Sequence, residues 1–92
     1  MGLREAQKKY LRGLGHQLKP VVMVADAGLS ESVLNEYELA LTHHELIKVS
    51  VRVGDRAARD EIIATLSAGS SAELVQRIGN IALLYRENPE KL

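Results

Sequence analysis

The 92-residue chain contains no cysteine, no tryptophan and no phenylalanine. Without cysteine it can form no disulfide bond, no thiolate metal site and no cysteine nucleophile. The nucleotide-binding patterns GxxxxGK(S/T) and GxGxxG are missing, as is the metal-binding pattern HExxH. No apolar run approaches the roughly 20 residues of a membrane-spanning helix, and the charged stretch from Leu3 to Lys9 is unlike a signal peptide. We therefore expect a small cytoplasmic domain with no membrane segment, metal or cofactor.

The charges balance overall but are unevenly distributed along the chain. Twelve Lys and Arg residues offset twelve Asp and Glu residues. Residues 1–24 hold five bases and one acid, a net charge of +4, whereas residues 25–92 hold seven bases and eleven acids, a net charge of −4. Such a bipolar molecule can present its basic end to a polyanion. A helix that is basic only on its solvent-facing side would give the same count.

Hydrophobic periodicity predicts three helices and four strands in one α+β domain. The predicted helices span about residues 3–14, 31–44 and 56–68, and the predicted strands span about 21–24, 46–53, 73–78 and 81–86. Strands that are separated by helices are normally parallel, whereas the Gly79-Asn80 pair suits the turn of an antiparallel hairpin. The predicted order is α-β-α-β-α-β-β, with a mixed four-stranded sheet packed with three helices.

Alternation along the second predicted strand defines the two faces of the sheet. Its odd-numbered residues from Ile47 to Val53 are apolar, whereas Lys48, Ser50 and Arg52 point the other way. We expect helices to bury the first face and the second face to be polar at this strand. Tyr10 and Tyr37 lie in apolar helical stripes and are predicted to be core residues.

A catalytic role has little support in the sequence. His43-His44-Glu45 is the one cluster that combines imidazoles with an acid. Adjacent residues of a helix point about 100° apart, so the two imidazoles would not converge on one metal ion. We interpret them as histidines at the end of a helix and predict that the protein is not an enzyme.

The groups that bind an RNA backbone lie close together in the first third of the chain. Phosphate contacts come from Lys and Arg, from backbone N–H groups and from helix N-termini. A basic first helix and Lys19 precede a loop of small residues, Ala25-Asp26-Ala27-Gly28, which opens the second helix. Small residues let a phosphate approach the backbone, although the Asp26 carboxylate would repel it unless it turns away. Since tyrosine is the only aromatic residue type, the sequence favours recognition of backbone and shape in structured RNA.

Several blocks in fixed order carry a family resemblance. They are YLRGLGH at 10–16, LKPVV at 18–22, GL at 28–29, HHELIKV at 43–49, ELVQRIG at 73–79 and LLYR at 83–86. Together they resemble the YhbY family, bacterial single-domain members of the CRM group (chloroplast RNA splicing and ribosome maturation). The resemblance implies a CRM-type RNA-binding domain over residues 1–86, followed by a flexible tail at 87–92. It also implies a fold similar to the C-terminal domain of bacterial translation initiation factor three.

The loop after the first strand departs from the family pattern. That loop usually reads GxxG, like the RNA-clamping loop of KH domains, whereas the matching residues here are Ala25 to Gly28. If the first position requires a positive φ, Ala25 would be strained; if it requires only small size, Ala25 suffices.

The resemblance leads to a functional hypothesis with one alternative. Bacterial members are associated with precursors of the large ribosomal subunit, and plant relatives with group II intron splicing, so we expect a non-catalytic protein that binds ribosomal RNA in pre-large-subunit particles. We favour a monomer. The alternative is an adaptor that docks on a ribosomal protein or assembly factor. The predicted RNA-binding residues are Lys8, Lys9, Arg12, Lys19, Ala25, Asp26, Ala27, Gly28, Lys48, Arg52 and Arg86.

Overall fold

The computed structural model describes residues 3–90, and its elements follow the predicted order. The helices are α1 (Glu5–Gly15), α2 (Glu31–His44) and α3 (Arg56–Ser70), and the strands are β1 (Pro20–Val24), β2 (Leu46–Val51), β3 (Glu73–Ile78) and β4 (Ile81–Tyr85). The sheet has the order β1-β2-β4-β3. Strand β1 is parallel to β2, whereas β4 is antiparallel to both of its neighbours. The predicted mixed four-stranded sheet and α+β class are confirmed.

Local signals set the ends of the central elements. The Ser30 hydroxyl accepts a hydrogen bond of 3.2 Å from the Val33 N–H, which caps α2 at its predicted start. Strand β2 ends at Val51, two residues earlier than predicted. Its pairing with β1 continues for one more residue, because the Arg52 N–H donates to the Val24 carbonyl at 2.7 Å.

Helices α2 and α3 cover one face of the sheet, where the main core lies. Val49 and Val51 of β2 have no exposed surface, and neither do Leu41 of α2 and Leu84 of β4. The expected burial of Ile47, Val49 and Val51 is confirmed. Burying a side chain of this size contributes about 1.5–3 kcal/mol, so this face supplies much of the stability.

Helix α1 packs on the opposite face, with a different side inward than the sequence predicts. A second core cluster joins Leu11 of α1 to Val75 and Leu83 of the sheet, and Ser50 on this face is also buried. Tyr10 is 67% exposed, so its predicted place in the core is wrong, whereas Tyr37 is buried as predicted.

The close packing of α1 on the sheet explains why a different side of the helix faces inward. A Cβ on Gly15 would lie only 2.6 Å from Leu83 Cδ2, so the missing side chain lets the helix backbone rest on the leucine. Contact is closest at Leu11 and Gly15, and the neighbouring flank with Tyr10 and Leu14 therefore remains exposed.

The residues after β4 contact the end of α2. The Asn88 N–H donates to the Glu45 carboxylate at 2.7 Å, and Asn88 Nδ2 donates to the Thr42 carbonyl at 3.1 Å. Residues 91 and 92 of the predicted tail lie outside the described residues. Between residues 3 and 90, no helix is both long enough and apolar enough to cross a membrane.

Candidate nucleic-acid interface

The loop from Ala25 to Gly28 exposes its backbone at the end of β1. The Gly28 N–H donates to the Ala25 carbonyl at 2.8 Å, which closes a tight turn. Residues 25–27 are exposed, and beyond its chain neighbours no atom lies within 4 Å of the position that a Cβ of Gly28 would take. Gly28 has a φ of +80°, a conformation that side chains disfavour. A ligand can therefore reach the backbone of this loop without displacing a side chain.

Ala25 fits the first position of the loop without backbone strain. The residues other than glycine with a positive φ between residues 3 and 90 are Glu45 and Ser71. Ala25 is not one of them, so this position does not adopt a glycine conformation. The Asp26 carboxylate is exposed at the tip of the same turn.

Arg52 lies beside this loop, at the same edge of the sheet. It is exposed, and its N–H donates to the carbonyl of Val24, the residue before Ala25. Because β1 and β2 are parallel, the segments that follow both strands emerge at one edge. The structure therefore brings together two parts of the predicted site, the 25–28 loop and Arg52.

Two further predicted cations, Lys19 and Lys48, lie near the beginning of β1. Lys19 is exposed, and Lys48 of β2 is aligned with Pro20 in the register of the two strands. Lys19 and Lys48 line one groove of about 600 Å³, whose apolar wall includes Leu14, Leu18 and Val21. On α1, Lys9 is exposed, whereas Lys8 and Arg12 are half-buried.

The two groups lie at opposite ends of β1. Six residue steps separate Lys19 from Ala25, which corresponds to about 20 Å along an extended strand. Val21 and Met23 lie between the two ends on β1 and are 48% and 53% exposed. A ligand that touches both groups must therefore extend along β1.

Arg86 is separate from both groups and makes contacts within the fold. Its guanidinium Nη1 donates to both carboxylate oxygens of Glu38 at 3.0 Å and to the Ser70 carbonyl at 3.0 Å. Its Nη2 donates to the Thr42 hydroxyl at 3.2 Å. These bonds join the end of β4 to α2 and α3.

Sequence reasoning missed three arginines that converge near the hairpin turn. Arg56 and Arg59 of α3 and Arg77 of β3 line one cavity with Gly79 and Asn80. The net charge of residues 25–92 is −4, so a charge count over this segment gave no sign of a cluster of arginines. The available signal was the spacing of Arg56 and Arg59, three residues apart and therefore neighbours on one side of a helix.

The histidines at the end of α2 do not form a metal centre with neighbouring residues. The ring centroids of His43 and His44 are 5.9 Å apart, with the ring planes inclined by 68°. Across residues 3–90, no cluster of three or more His, Asp or Glu side chains could hold a metal ion.

The geometry defines a class of protein: a small α+β domain with helices on both faces of a mixed sheet, and with an exposed glycine turn and surface cations along one strand. Within that class, the chain belongs to the CRS1/YhbY (CRM) domain family, whose model matches residues 3–86. The family predicted from the sequence blocks is thereby confirmed.

Individual relatives agree with this assignment. The chain is 49% identical over 90 residues to "Probable RNA-binding protein PA4753" of Pseudomonas aeruginosa, covering 98% of this chain and 86% of the relative. It is 49% identical over 88 residues to the "RNA-binding protein" of Haemophilus influenzae, covering 96% and 89%. The solution structure of the hypothetical protein SAV1595 from Staphylococcus aureus superposes with a TM-score of 0.82 at 36% identity, covering 98% of this chain and 94% of that one.

Proposed function

We propose that this protein is a non-catalytic RNA-binding protein of the cytoplasm that acts as a monomer on precursors of the large ribosomal subunit. Family membership and the names of the relatives support RNA as the ligand class. The association with precursors of the large ribosomal subunit is proposed from the resemblance to bacterial YhbY members.

One observation carries the proposal: apart from Arg86, the cations of the predicted surface have no carboxylate partner within residues 3–90. Within residues 3–90 the salt bridges are Arg77 with Asp60 and Arg86 with Glu38. Neither bridge includes Lys8, Lys9, Arg12, Lys19, Lys48 or Arg52. Cations that are not neutralised within the fold remain available to phosphate groups, which bind chiefly through Lys and Arg.

The proposed mode of binding is backbone recognition along β1. Lys19 and Lys48 hold phosphates at the beginning of the strand, together with the cations of α1. The backbone of the 25–28 loop and Arg52 receive the RNA backbone at the other end. Tyr10 adds an exposed ring on α1 that can stack on an unpaired base.

Charge removal with a matched control tests this surface. Lys9→Gln and Lys48→Gln should each weaken binding of structured ribosomal RNA and lower the slope of log K against log salt by about 0.7 to 0.9. Arg86→Gln removes the same charge from a guanidinium that is already paired, and should leave the slope unchanged. The double reversal Lys8→Glu with Arg12→Glu should weaken binding strongly with an unchanged circular dichroism spectrum. Equal slopes for all variants would contradict the proposed surface.

Sedimentation of a cell lysate tests the ribosomal part. The protein should travel with large-subunit particles in a sucrose gradient at low salt and be released at high salt, because phosphate contacts are screened by counterions. Nuclease treatment should release it as well. A protein that stays at the top of the gradient under all conditions would contradict association with ribosomal particles.

The apolar wall of the Lys19–Lys48 groove supports a second candidate, the adaptor. Leu14 and Val21 of this wall are 46% and 48% exposed, and Met23, two residues further along β1, is 53% exposed. Clustered apolar side chains at a surface are typical of protein docking sites. As an adaptor, the protein would bind an apolar segment of a ribosomal protein or assembly factor. Met23→Lys distinguishes the two candidate functions. If the protein is an adaptor, the variant should no longer associate with the particles. If the protein binds RNA phosphates, the variant should bind RNA as well as the wild type or more tightly.

A further inference from the structure

The hairpin turn and the beginning of α3 enclose a cationic cavity outside the surface described above. Its volume is about 550 Å³, and it is lined by Arg56, Arg59, Arg77, Gly79 and Asn80. We refer to it as the arginine pocket. The guanidinium group presents its N–H donors in a planar fork that matches two oxygens of a phosphate group, so three arginines around one cavity favour an anion.

The charges of the arginine pocket are only partly neutralised. Arg77 pairs with Asp60, and the three arginines together hold the pKa of Asp60 below its usual value, with the hydrogen bond from Arg77 as the main cause. Asp60 is thus a carboxylate beside three guanidinium groups. The Arg59 Nε is buried without a hydrogen-bond acceptor among the described residues. A buried donor without a partner is costly, so this guanidinium group is not fully satisfied within the fold.

The backbone at the start of α3 adds to this preference. Asp55 precedes the helix, but its side chain makes no capping hydrogen bond, and the first turn contains no acidic residue. The free N–H groups and the positive end of the helix dipole therefore reinforce the arginines.

The arginine pocket lies at the same edge of the sheet as the 25–28 loop. Ser50 of β2 is paired with Met23 of β1 on one side and with Ile81 of β4 on the other. The Asn80 carbonyl accepts a bond of 2.7 Å from the Val51 N–H. Neighbouring strands are about 4.8 Å apart, so about 10 Å separates the end of β1 from the hairpin turn, and Arg52 follows the strand between them.

We propose that the arginine pocket binds a phosphate group of RNA and extends the contact that begins at the 25–28 loop across the end of the sheet. The RNA backbone passes from the loop, over Arg52, to Arg56 and Arg59. This inference rests on the proposed function for its ligand. Asp60 limits the affinity, because it neutralises Arg77 within the pocket.

A matched pair of carboxylate variants tests the role of Asp60. Asp60→Asn and Glu61→Gln each remove one negative charge from adjacent, exposed positions of α3. Only Asp60→Asn frees Arg77, so it should tighten RNA binding severalfold and increase the salt slope by about 0.7 for a single strand. Glu61→Gln should change neither quantity appreciably. Conversely, Arg59→Gln should weaken binding about tenfold, as expected for loss of a charge-assisted hydrogen bond.

A titration with inorganic phosphate tests the pocket without RNA. Phosphate added to the full chain should shift the Nε–Hε resonance of Arg59 in ¹⁵N–¹H spectra, and the shift should become larger in Asp60→Asn. If wild-type protein fails to bind RNA but phosphate shifts this resonance, the proposed function fails and the pocket stands as a phosphate site.

Two results would overturn the inference. In the first, RNA binds the wild type with the expected salt dependence, but Asp60→Asn behaves like Glu61→Gln and Arg59→Gln retains full affinity. The proposed function would then survive and the arginine pocket would have no part in it. In the second, neither phosphate nor RNA affects the Arg59 resonance, which would leave the pocket without a ligand.

Discussion

Replacement of Gly15 by alanine tests how α1 is held on the sheet. The new Cβ would lie 2.6 Å from Cδ2 and 3.0 Å from Cδ1 of Leu83, whose side chain is 2% exposed and has little room to move. Overpacking of this kind destabilises proteins by about 1–3 kcal/mol. Alanine is favoured over glycine within a helix by about 1 kcal/mol. The variant should therefore lose up to about 2 kcal/mol of unfolding free energy.

Gly13→Ala is the matched control on the same helix. Apart from the chain neighbours and the backbone of α1 itself, no atom lies within 4 Å of a Cβ at this position, so the variant should gain the helical preference of about 1 kcal/mol without a clash. The two alanine variants should differ by about 1–3 kcal/mol in urea unfolding followed by circular dichroism. Equal unfolding free energies for the two variants would show that Gly15 does not pack closely against Leu83. Since α1 carries Lys8, Lys9 and Arg12, Gly15→Ala should also weaken RNA binding more than Gly13→Ala.

Three further variants address the loop, the core and β4. Gly28→Ala should destabilise the fold by about 1–2 kcal/mol, because φ is +80° where space is open; a larger loss in urea unfolding would indicate a clash instead. Burial raises the pKa of Tyr37, whose hydroxyl donates to the Leu66 carbonyl at 3.1 Å. Stability from this phenol is complete below the unfolded pKa of about 10 and falls as pH rises towards the higher folded pKa. Tyr37→Phe should cost about 1 kcal/mol at neutral pH and flatten the alkaline decline; an unchanged pH profile would contradict this assignment. Arg86→Gln should lower the unfolding free energy by about 1–3 kcal/mol through loss of the Glu38 pair while preserving RNA affinity.

The elements that the sequence predicts correctly are those defined by local signals. Helix α2 begins after Ser30 and ends at His44, as predicted, because its cap and apolar spacing act within a few residues. Alternation along β2 likewise identifies Ile47, Val49 and Val51 as core, since a half-buried strand has a period of two. Both signals require no knowledge of the rest of the chain.

Contacts between distant segments account for the predictions that failed or were missed. The rotation of α1 depends on the fit of Gly15 to Leu83, 68 residues away in the sequence, so the apolar stripe alone wrongly placed Tyr10 in the core. The arginine pocket joins the start of α3 to the end of β3. A charge count over residues 25–92 could not reveal it, because acidic residues elsewhere in that segment outnumber these arginines.

The topology explains how a chain with no net charge can gather arginines and free backbone N–H groups at one edge of its sheet. Parallel pairing of β1 and β2 sends the segments after both strands to one edge, where α2 and α3 begin. The positive ends of two helix dipoles thus meet at that edge, beside Arg52 and the turn at Gly79 and Asn80. Helix C-termini point to the opposite edge, where Glu38 holds Arg86. The parallel pairing of β1 and β2 gives this arrangement whatever the total charge, so affinity for RNA should follow variants at this edge rather than the overall charge of the protein.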